Sequence, residues 1–248
     1  MWFFSMVKYD YKSFYNKLAM KKINLNQVTV VIPTYNSEKT IEGTLNSIYK
    51  YFNKIIIVDA DSNDLTLEIS KKYKIKIIKS IRGRGPQLVL GAENTNTDWI
   101  FFLHSDSIIN KNNIIDINKF ITNTLNNNKA ASFKIKFNTN NIWSNLLSIL
   151  VNIRSKYLKL PYGDQGLLIS KSFYKNIGGY KNIPIMEDVE IIRAIGFRNI
   201  KILNSYIITD AARFENQGWI YRPMINLFCL TLYFLGFNIN SINKIYKK

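Results

Sequence analysis

Cysteine and histidine are almost absent from this chain, since each occurs once in 248 residues, as Cys229 and His104. A single cysteine excludes an internal disulfide framework and any zinc site built on cysteine ligands. We therefore predict a reducing, cytoplasmic compartment, and residues 1–7 are too short and too poor in basic residues for a signal peptide. Cys229 itself lies in an apolar run, which predicts a buried thiol.

Long hydrophobic runs are also lacking. No stretch reaches the roughly 20 apolar residues that a membrane-spanning helix needs. The nearest run, residues 225–237, is interrupted by Asn226 and Gly236. We interpret it as a helix of the core. The alternative is a helix at the inner membrane surface, because Arg222 precedes it and a basic segment, 244–248, follows it.

Acidic residues are few: 17 Asp and Glu stand against 34 Lys and Arg, which gives a net charge of +17. Such a charge attracts nucleic acids, anionic lipids and phosphate-rich ligands. The lysines are spread over both ends of the chain, and no DNA-binding motif accompanies them, so we predict no nucleic-acid partner. A glycine-rich dinucleotide motif and a P-loop are both missing as well.

The apolar pattern predicts an α/β fold. Short β-branched runs at 28–32, 55–58, 75–78 and 99–103 are typical of fully buried strands, and residues between them have helical spacing. Alternating strands and helices indicate a parallel sheet that is covered on both faces. Residues 1–26 show no clear period and are predicted to be an N-terminal extension.

The second half is less regular. We predict strands at 131–137 and 167–169, helices at 142–153 and 187–195, and turns at 163–166 and 178–179. No linker separates the halves. The sequence therefore predicts one domain over 27–248, with a nucleotide-binding half at 27–107 and an acceptor half at 108–248 that ends in a C-terminal helix.

Polar side chains follow the strands where each one ends. Right-handed crossovers bring the carboxyl ends of parallel strands to one edge of the sheet, where open α/β folds bind ligands. The residues expected at that edge are Asn36, Asp59, Arg82, Arg84, His104 and Asp106. Arginines can hold phosphate oxygens, and a carboxylate can hold a hard divalent cation against a diphosphate. A nucleoside diphosphate would fit this set.

The motifs also occur in a recognisable order. They comprise, along the chain, Pro33, Thr34, Tyr35 and Asn36; Asp59; Arg82, Gly83, Arg84 and Gln87; His104 and Asp106; Gly163, Asp164, Gln165 and Gly166; and Met186 to Glu190. Over about residues 28–240 this set resembles glycosyltransferase family 2, the inverting enzymes with the GT-A fold. It is most similar to a bacterial branch of radical-SAM-associated, or arsenosugar-biosynthesis, glycosyltransferases.

For the nucleotide-binding half, the resemblance implies an α/β/α sandwich of Rossmann-like type with a mainly parallel central sheet. Pro33, Tyr35 and Asp59 would line the base pocket, and Arg84 would contact phosphate. Asp106 would bind a divalent metal, Mn²⁺ or Mg²⁺. His104 replaces the first aspartate of the usual Asp-x-Asp motif, and its role, ribose contact or metal ligand, stays open.

For the acceptor half, the resemblance implies that Asp188 is the catalytic base and that Glu187 orients it or binds the acceptor. Taken alone, the pair would be ordinary acids at a helix N-terminus. Gly163, Asp164 and Gln165 would lie near the donor sugar, and the alternative for them is a polar turn. Arg213 and Trp219 would belong to a C-terminal loop that closes over the diphosphate.

Two departures from related sequences concern the donor. Val89 stands where an asparagine is usual, which removes one polar contact. Asp61 stands where a glycine is usual, which adds a carboxylate near the base pocket. Both bear on donor identity more than on catalysis.

The predicted function is a metal-dependent inverting glycosyltransferase that moves a sugar from a nucleotide-sugar donor, a UDP-sugar, to a hydroxyl acceptor. A small acceptor in arsenosugar biosynthesis is implied by the branch. One alternative is transfer to a lipid acceptor at the membrane surface; another is a non-catalytic basic binding protein. A polysaccharide synthase is disfavoured because the Gln-x-x-Arg-Trp signature is missing, and a nucleotidyltransferase because no glycine-rich loop follows the first strand.

Overall fold

The computed structural model describes residues 25–247. The predicted extension, 1–26, lies outside the described residues except for its last two. The strands are β1 Val28–Thr34, β2 Lys54–Asp59, β3 Lys76–Lys79, β4 Trp99–Phe102, β5 Ser107–Ile108, β6 Ala130–Phe137, β7 Leu167–Ser170 and β8 Ile200–Thr209. The helices are α1 Ile41–Ile48, α2 Thr66–Lys71, α3 Arg84–Glu93, α4 Lys111–Ile121, α5 Ile142–Leu158, α6 Lys171–Asn176, α7 Glu187–Ile195, α8 Ala212–Gln217, α9 Tyr221–Phe234 and α10 Ile239–Lys247.

The eight strands form one mixed sheet in the order β3-β2-β1-β4-β7-β6-β8-β5. Strands β1 to β4 are parallel to one another, as predicted. Strand β7 then pairs antiparallel with both β4 and β6, whereas β6 and β8 are parallel. The switch of direction at β7 places a new set of loops beside the carboxyl ends of β1 to β4.

Both faces of the sheet are covered. Alternate residues of the central strands point to opposite faces: Val30 and Phe101 belong to one apolar cluster, Val31 and Phe102 to the other. Helices α1 and α4 cover the first face, and α3, α6 and α7 cover the second. The predicted α/β/α sandwich with a mainly parallel central sheet is confirmed.

Sequence reasoning missed two elements of the acceptor half, helix α4, which carries a usable signal, and strand β8, which carries a weak one. Helix α4 is asparagine-rich but is capped by Asn110, and Ile114, Ile117 and Ile121 lie on its buried face at helical spacing. Strand β8 alternates unevenly between buried and exposed residues, and its pairing with β6 is irregular between Ser132 and Lys134. Such irregularity weakens the period-2 pattern by which strands are recognised.

The core-helix interpretation of residues 225–237 applies to one side of the segment, where Cys229 is buried and Ile225, Leu230, Leu232 and Tyr233 pack against the cluster that contains it. Helix α9 buries Arg222 and Cys229, so the predicted buried thiol is confirmed. Other apolar side chains of the helix are exposed, among them Leu227 and Phe228. No helix within residues 25–247 is both long and apolar enough to span a bilayer.

Candidate active site

Strand ends β1 and β2 are tied together around Asp59, the last residue of β2. Its carboxylate is fully buried and accepts hydrogen bonds from the Thr34 hydroxyl at 2.8 Å and from the Ser62 amide and hydroxyl at 2.8 and 2.6 Å. Because a carboxylate offers about four acceptor positions, one position on Oδ1 remains. Because Asp59 has no exposed surface, this position is closed to solvent, and the three hydrogen bonds make Asp59 a fixed point that joins the ends of β1 and β2.

Gln87 fixes the same strand ends from the opposite side. Its side chain is buried in α3 and donates through Nε2 to the carbonyl oxygens of Thr34 at 2.8 Å and Val58 at 2.7 Å. Sequence reasoning placed Gln87 in a motif but gave it no role. The available signal was an amide on the buried face of a short helix, which must find hydrogen-bond partners.

Tyr35 and Arg82 form a stacked pair at the same edge of the sheet. The Arg82 guanidinium lies 4.1 Å from the centre of the Tyr35 ring, and both residues are exposed. Pro33, by contrast, is buried within β1 opposite Val58. Of the three predicted base-pocket residues, Tyr35 thus offers an accessible aromatic surface, whereas Pro33 and Asp59 are buried at the strand ends.

The two departures from related sequences lie apart from Asp59. Asp61 adopts a left-handed backbone conformation, with φ at 62°, which is a reason for glycine to be usual there. Its carboxylate is 88% exposed and lies 3.8 Å from the Lys79 ammonium, so it adds no buried charge beside Asp59. Val89 is partly buried against the second apolar cluster.

The turn at 163–165 joins the two predicted halves. Gly163 lies against His104 so closely that a Cβ on it would be 2.6 Å from the imidazole Nε2. The amide of Gly163 donates to Asp188 Oδ2 at 3.2 Å. A glycine is therefore required where the end of β4 meets the start of α7.

Arg84 is the central cation of this region. Its half-buried guanidinium lies 3.8 Å from Glu187 Oε1. Although burial opposes it, the acidic groups of Tyr246, Glu187, Asp188 and Asp106 raise the pKa of Arg84. Burial and then the charge of Arg84 hold the pKa of His104 well below its usual range, so the imidazole is neutral.

The carboxylates near Arg84 suit a cation. Burial, and after it the charge of Asp210, raises the pKa of Asp106. Burial together with Asp188 and Asp106 raises the pKa of Asp164 to about 6, and within the described range, 25–247, Asp164 Oδ1 is buried without a hydrogen-bond partner. Within residues 25–247, no three His, Cys, Asp or Glu side chains form a ready metal cluster. A divalent ion at Asp106 would thus share its ligands with a bound molecule.

Glu187 and Asp188 begin α7 and differ in their surroundings. The Asp188 carboxylate accepts from the amides of Gly163 and Val189, which fixes both oxygens. Glu187 is buried, and burial followed by the charge of Asp188 raises its pKa to about 7. Ordinary acids at a helix N-terminus are solvated. A buried Glu187 next to a partly buried Asp188 and an arginine is typical of a functional site.

Gln165 has a different environment from the one predicted. Its side chain is fully buried, donates to the Phe133 carbonyl at 2.6 Å and accepts from the Ser155 hydroxyl at 2.7 Å. These contacts hold the turn at 163–165 in place. Gln165 therefore does not contact a ligand directly; it acts by positioning Gly163 and Asp164.

Arg213 and Trp219 are engaged with the C-terminal part of the chain. Trp219 stacks on Phe214, with ring centres 5.5 Å apart, and packs edge-on against Phe137. Arg213 donates to the hydroxyl of Tyr246 at 2.9 Å. Helices α8 and α10 are thereby held together.

Comparison with known proteins gives the family. The model of Glycosyl transferase family 2 matches residues 29–183. The poly(ribitol-phosphate) beta-N-acetylglucosaminyltransferase TarS of Staphylococcus aureus is 34% identical over 105 residues, which cover 38% of this chain and 18% of TarS. The probable glycosyltransferase YdaM of Bacillus subtilis is 26% identical over 195 residues, covering 67% of this chain and 46% of YdaM. This chain thus spans less than half the length of these two curated relatives.

Solved structures share the fold. The crystal structure of S. aureus TarS 1-349 in complex with UDP-GlcNAc aligns with a TM-score of 0.56 at 20% identity, covering 88% of this chain and 70% of that one. The mannosyltransferase PcManGT of Pyrobaculum calidifontis, in complex with GDP-Man and Mn²⁺, aligns with a TM-score of 0.60 at 14% identity, covering 87% and 66%. The family model matches more than half of the residues, and the chain therefore belongs to glycosyl transferase family 2, with its GT-A-like fold.

Proposed function

We propose that this protein is a metal-dependent inverting glycosyltransferase that moves a sugar from a nucleoside-diphosphate donor to a hydroxyl acceptor. One observation carries the proposal: Gly163 lies directly against His104, after β4, and its amide donates to Asp188, at the start of α7, so two motifs about 80 positions apart in the chain meet at one residue. Inverting transfer needs such a convergence, because the leaving group and the base act on opposite sides of one sugar carbon.

The donor is a UDP-sugar bound at the ends of β1, β2 and β4. Of the proposed base-pocket residues Pro33, Tyr35 and Asp59, the exposed Tyr35 ring gives the surface on which the base stacks, and the buried Pro33 and Asp59 hold the strand ends that shape the pocket. Arg84 contacts the diphosphate, for which its charge and fork of donors are suited. The TarS complex with UDP-GlcNAc supports a nucleotide-sugar donor for a protein of this fold.

Asp106 would hold a divalent cation, Mn²⁺ or Mg²⁺. Burial is the main cause of its raised pKa, and the charge of Asp210 adds to it, so a cation beside the buried carboxylate would stabilise its ionised form. Such an ion, when bound, neutralises charge on the departing nucleoside diphosphate. His104 is neutral, and its imidazole can donate to the ribose or ligate the ion.

Asp188 acts as the general base. Two backbone amides, those of Gly163 and Val189, fix its carboxylate at the start of α7. It takes the proton of the acceptor hydroxyl while that oxygen attacks the anomeric carbon. Glu187, buried between Asp188 and Arg84, orients the base, and Gly163 and Asp164 lie beside the donor sugar.

The acceptor is a small molecule, and the resemblance to the arsenosugar-biosynthesis branch makes an arsenosugar precursor its candidate. A cytoplasmic enzyme fits this acceptor. The single cysteine supports that compartment.

A lipid acceptor at a membrane surface is the second candidate, and a specific observation favours it. Helices α5 and α9 expose many large apolar side chains, among them Ile142, Trp143, Leu146, Ile149, Leu150, Ile153, Met224, Leu227 and Phe228. Exposed apolar helix faces on a basic protein suit peripheral contact with anionic lipid. Co-sedimentation with anionic vesicles at physiological salt tests this candidate, and a protein that stays in the supernatant excludes it.

The direct test is nucleotide release from a panel of UDP-, GDP- and dTDP-sugars with Mn²⁺. We expect one donor class to be hydrolysed or transferred by the wild type, and Asp106→Ala to abolish the metal-dependent rate. Asp61→Asn, an exposed carboxylate exchanged near the same edge of the sheet, is the matched control and keeps the wild-type rate. A wild type that binds no nucleotide contradicts the proposal.

A further inference from the structure

Two arginines from successive helices meet on one residue of α10. Arg213, in α8, donates to the Tyr246 hydroxyl at 2.9 Å and to the Tyr246 carbonyl at 3.3 Å. Arg222, in α9, donates to the same carbonyl at 2.9 Å. Their guanidinium carbons lie 4.5 and 4.1 Å from the centre of the Tyr246 ring. The ring thus contacts two cations.

The charge of this group is not neutralised by any acid in the described part of the chain. Neither Arg213 nor Arg222 forms one of the ion pairs found within residues 25–247. Arg222 is fully buried, and its Nε and Nη2 have no hydrogen-bond partner among residues 25–247. An unpaired buried charge is strongly unfavourable, and unsatisfied donors of this kind call for a ligand or a functional role.

The oxygens of Tyr246 resemble those of an anion in their arrangement. A phenol and a carbonyl oxygen on one residue together accept three N–H groups from two guanidiniums. Both oxygens are neutral. A phosphate or carboxylate in their place would form charge-assisted, bidentate hydrogen bonds, which are about twice as strong as neutral ones.

This group lies on the side of the proposed catalytic base. Tyr246 packs against the apolar cluster that contains Met186 and Val189, the residues on either side of Glu187 and Asp188. Arg84, whose guanidinium lies 3.8 Å from Glu187, also interacts electrostatically with Tyr246 and with Arg213. The two arginines and the start of α7 are thus linked through Tyr246 and its apolar cluster.

We propose that Arg213 and Arg222 form a binding site for an anionic group, a phosphate or a carboxylate, carried by the acceptor, and that Tyr246 occupies this site until the acceptor displaces it. The inference rests on the proposed glycosyltransferase function. It narrows the acceptor to a molecule that bears both a hydroxyl and an anionic group. The other source of the same chemistry is the diphosphate of the donor, and the test separates the two.

The test uses inorganic phosphate as the probe on the full chain. Thermal unfolding is followed against phosphate concentration, at constant ionic strength adjusted with chloride, first without nucleotide and then with saturating UDP and Mg²⁺. The variants are Arg213→Gln and Arg222→Gln, with Arg198→Gln, an exposed arginine elsewhere, as the matched control. Tyr246→Ala removes the phenol that competes with the anion.

We expect phosphate to stabilise the wild type equally with and without UDP. Its apparent affinity should fall roughly tenfold in either arginine variant, stay unchanged in Arg198→Gln, and rise in Tyr246→Ala. Arg213 is exposed, so Arg213→Gln reports on the site even if the buried Arg222→Gln does not fold.

Three results would overturn the inference. The first is that phosphate leaves the wild type unaffected, and the second is that phosphate stabilises Arg213→Gln as strongly as the wild type. Phosphate stabilisation that disappears when UDP is bound would assign the arginines to the donor diphosphate instead. A chain that binds phosphate through these arginines but never binds UDP would contradict the proposed function and leave the anion site standing.

Discussion

The nucleotide-binding half and the acceptor half differ in how completely their buried polar groups are hydrogen-bonded. In the first, Asp59 and Gln87 are satisfied by hydrogen bonds to neighbouring strand ends and loops. In the second lie all six buried side-chain N and O atoms that have no protein partner within residues 25–247, among them Asp164 Oδ1 and two nitrogens of Arg222. The raised pKa values of Asp164 and Glu187 belong to the second half too.

The difference indicates two kinds of binding surface. The donor side is assembled by the fold itself, because a parallel sheet brings its strand ends to one edge and their polar groups pair there. The acceptor side contains charges and donors that the chain does not pair. Such groups are completed by a ligand or an ion, so the acceptor side depends more on what it binds.

The largest effect is expected from a change in the acceptor half that leaves the donor half intact. Asp188→Asn keeps one oxygen that can accept from a backbone amide, but the amide side chain cannot take a proton from the acceptor. The value of kcat should therefore fall by about 10²–10⁴-fold. The measurement is steady-state release of nucleotide with the donor identified from the panel. Glu190→Gln, one carboxylate exchanged in the same helix, is the control and should keep activity near the wild-type value. Comparable activity in Asp188→Asn would remove Asp188 from the role of base.

A smaller effect is expected in the pH dependence of stability without divalent ions. Burial and the charge of Asp188 raise the pKa of Glu187 from 4.5 to about 7. Below pH 4.5 Glu187 is protonated in both the folded and the unfolded state. Between pH 4.5 and 7 the unfolded state ionises first, so the free energy of unfolding falls as pH rises, by on the order of 3 kcal/mol.

Urea unfolding of the wild type and Glu187→Gln in EDTA, from pH 4 to 8, measures this effect. The glutamine cannot ionise, so the variant should lose less stability than the wild type over this range. Asp164, with its pKa raised to about 6, contributes in the same direction and is present in both proteins. Identical pH profiles for the two proteins would show that Glu187 does not carry a raised pKa.

The same comparison explains what the sequence could and could not predict. The buried strands β1, β2 and β4 are continuous apolar runs, so their positions and the polar residues after them could be found from pattern alone. The convergence of Asp59, His104 and Asp106 at one edge followed from the handedness of the connections. These features depend on local sequence and on a general rule.

Features of the acceptor half depend on contacts between distant segments. Strand β8 pairs with both β6 and β5, and no local sequence pattern predicts this pairing. The side chain of Gln165 can be buried because it donates to the Phe133 carbonyl and accepts from the Ser155 hydroxyl. The meeting of Arg213 and Arg222 on Tyr246 joins three helices, and it could not be inferred from spacing along the chain.

The central claim is that one side of the site binds nucleotide and the other supplies the base. Calorimetric titration of UDP in the presence of Mn²⁺ into wild type, Tyr35→Ala and Asp188→Asn tests it most directly. Loss of the exposed Tyr35 ring should weaken UDP binding roughly tenfold, since base stacking on an aromatic side chain is worth about 1–3 kcal/mol. Asp188→Asn should bind UDP within about twofold of the wild type, because the base contributes to turnover and not to nucleotide affinity. UDP that fails to bind the wild type, or that binds Asp188→Asn as weakly as Tyr35→Ala, would contradict the account.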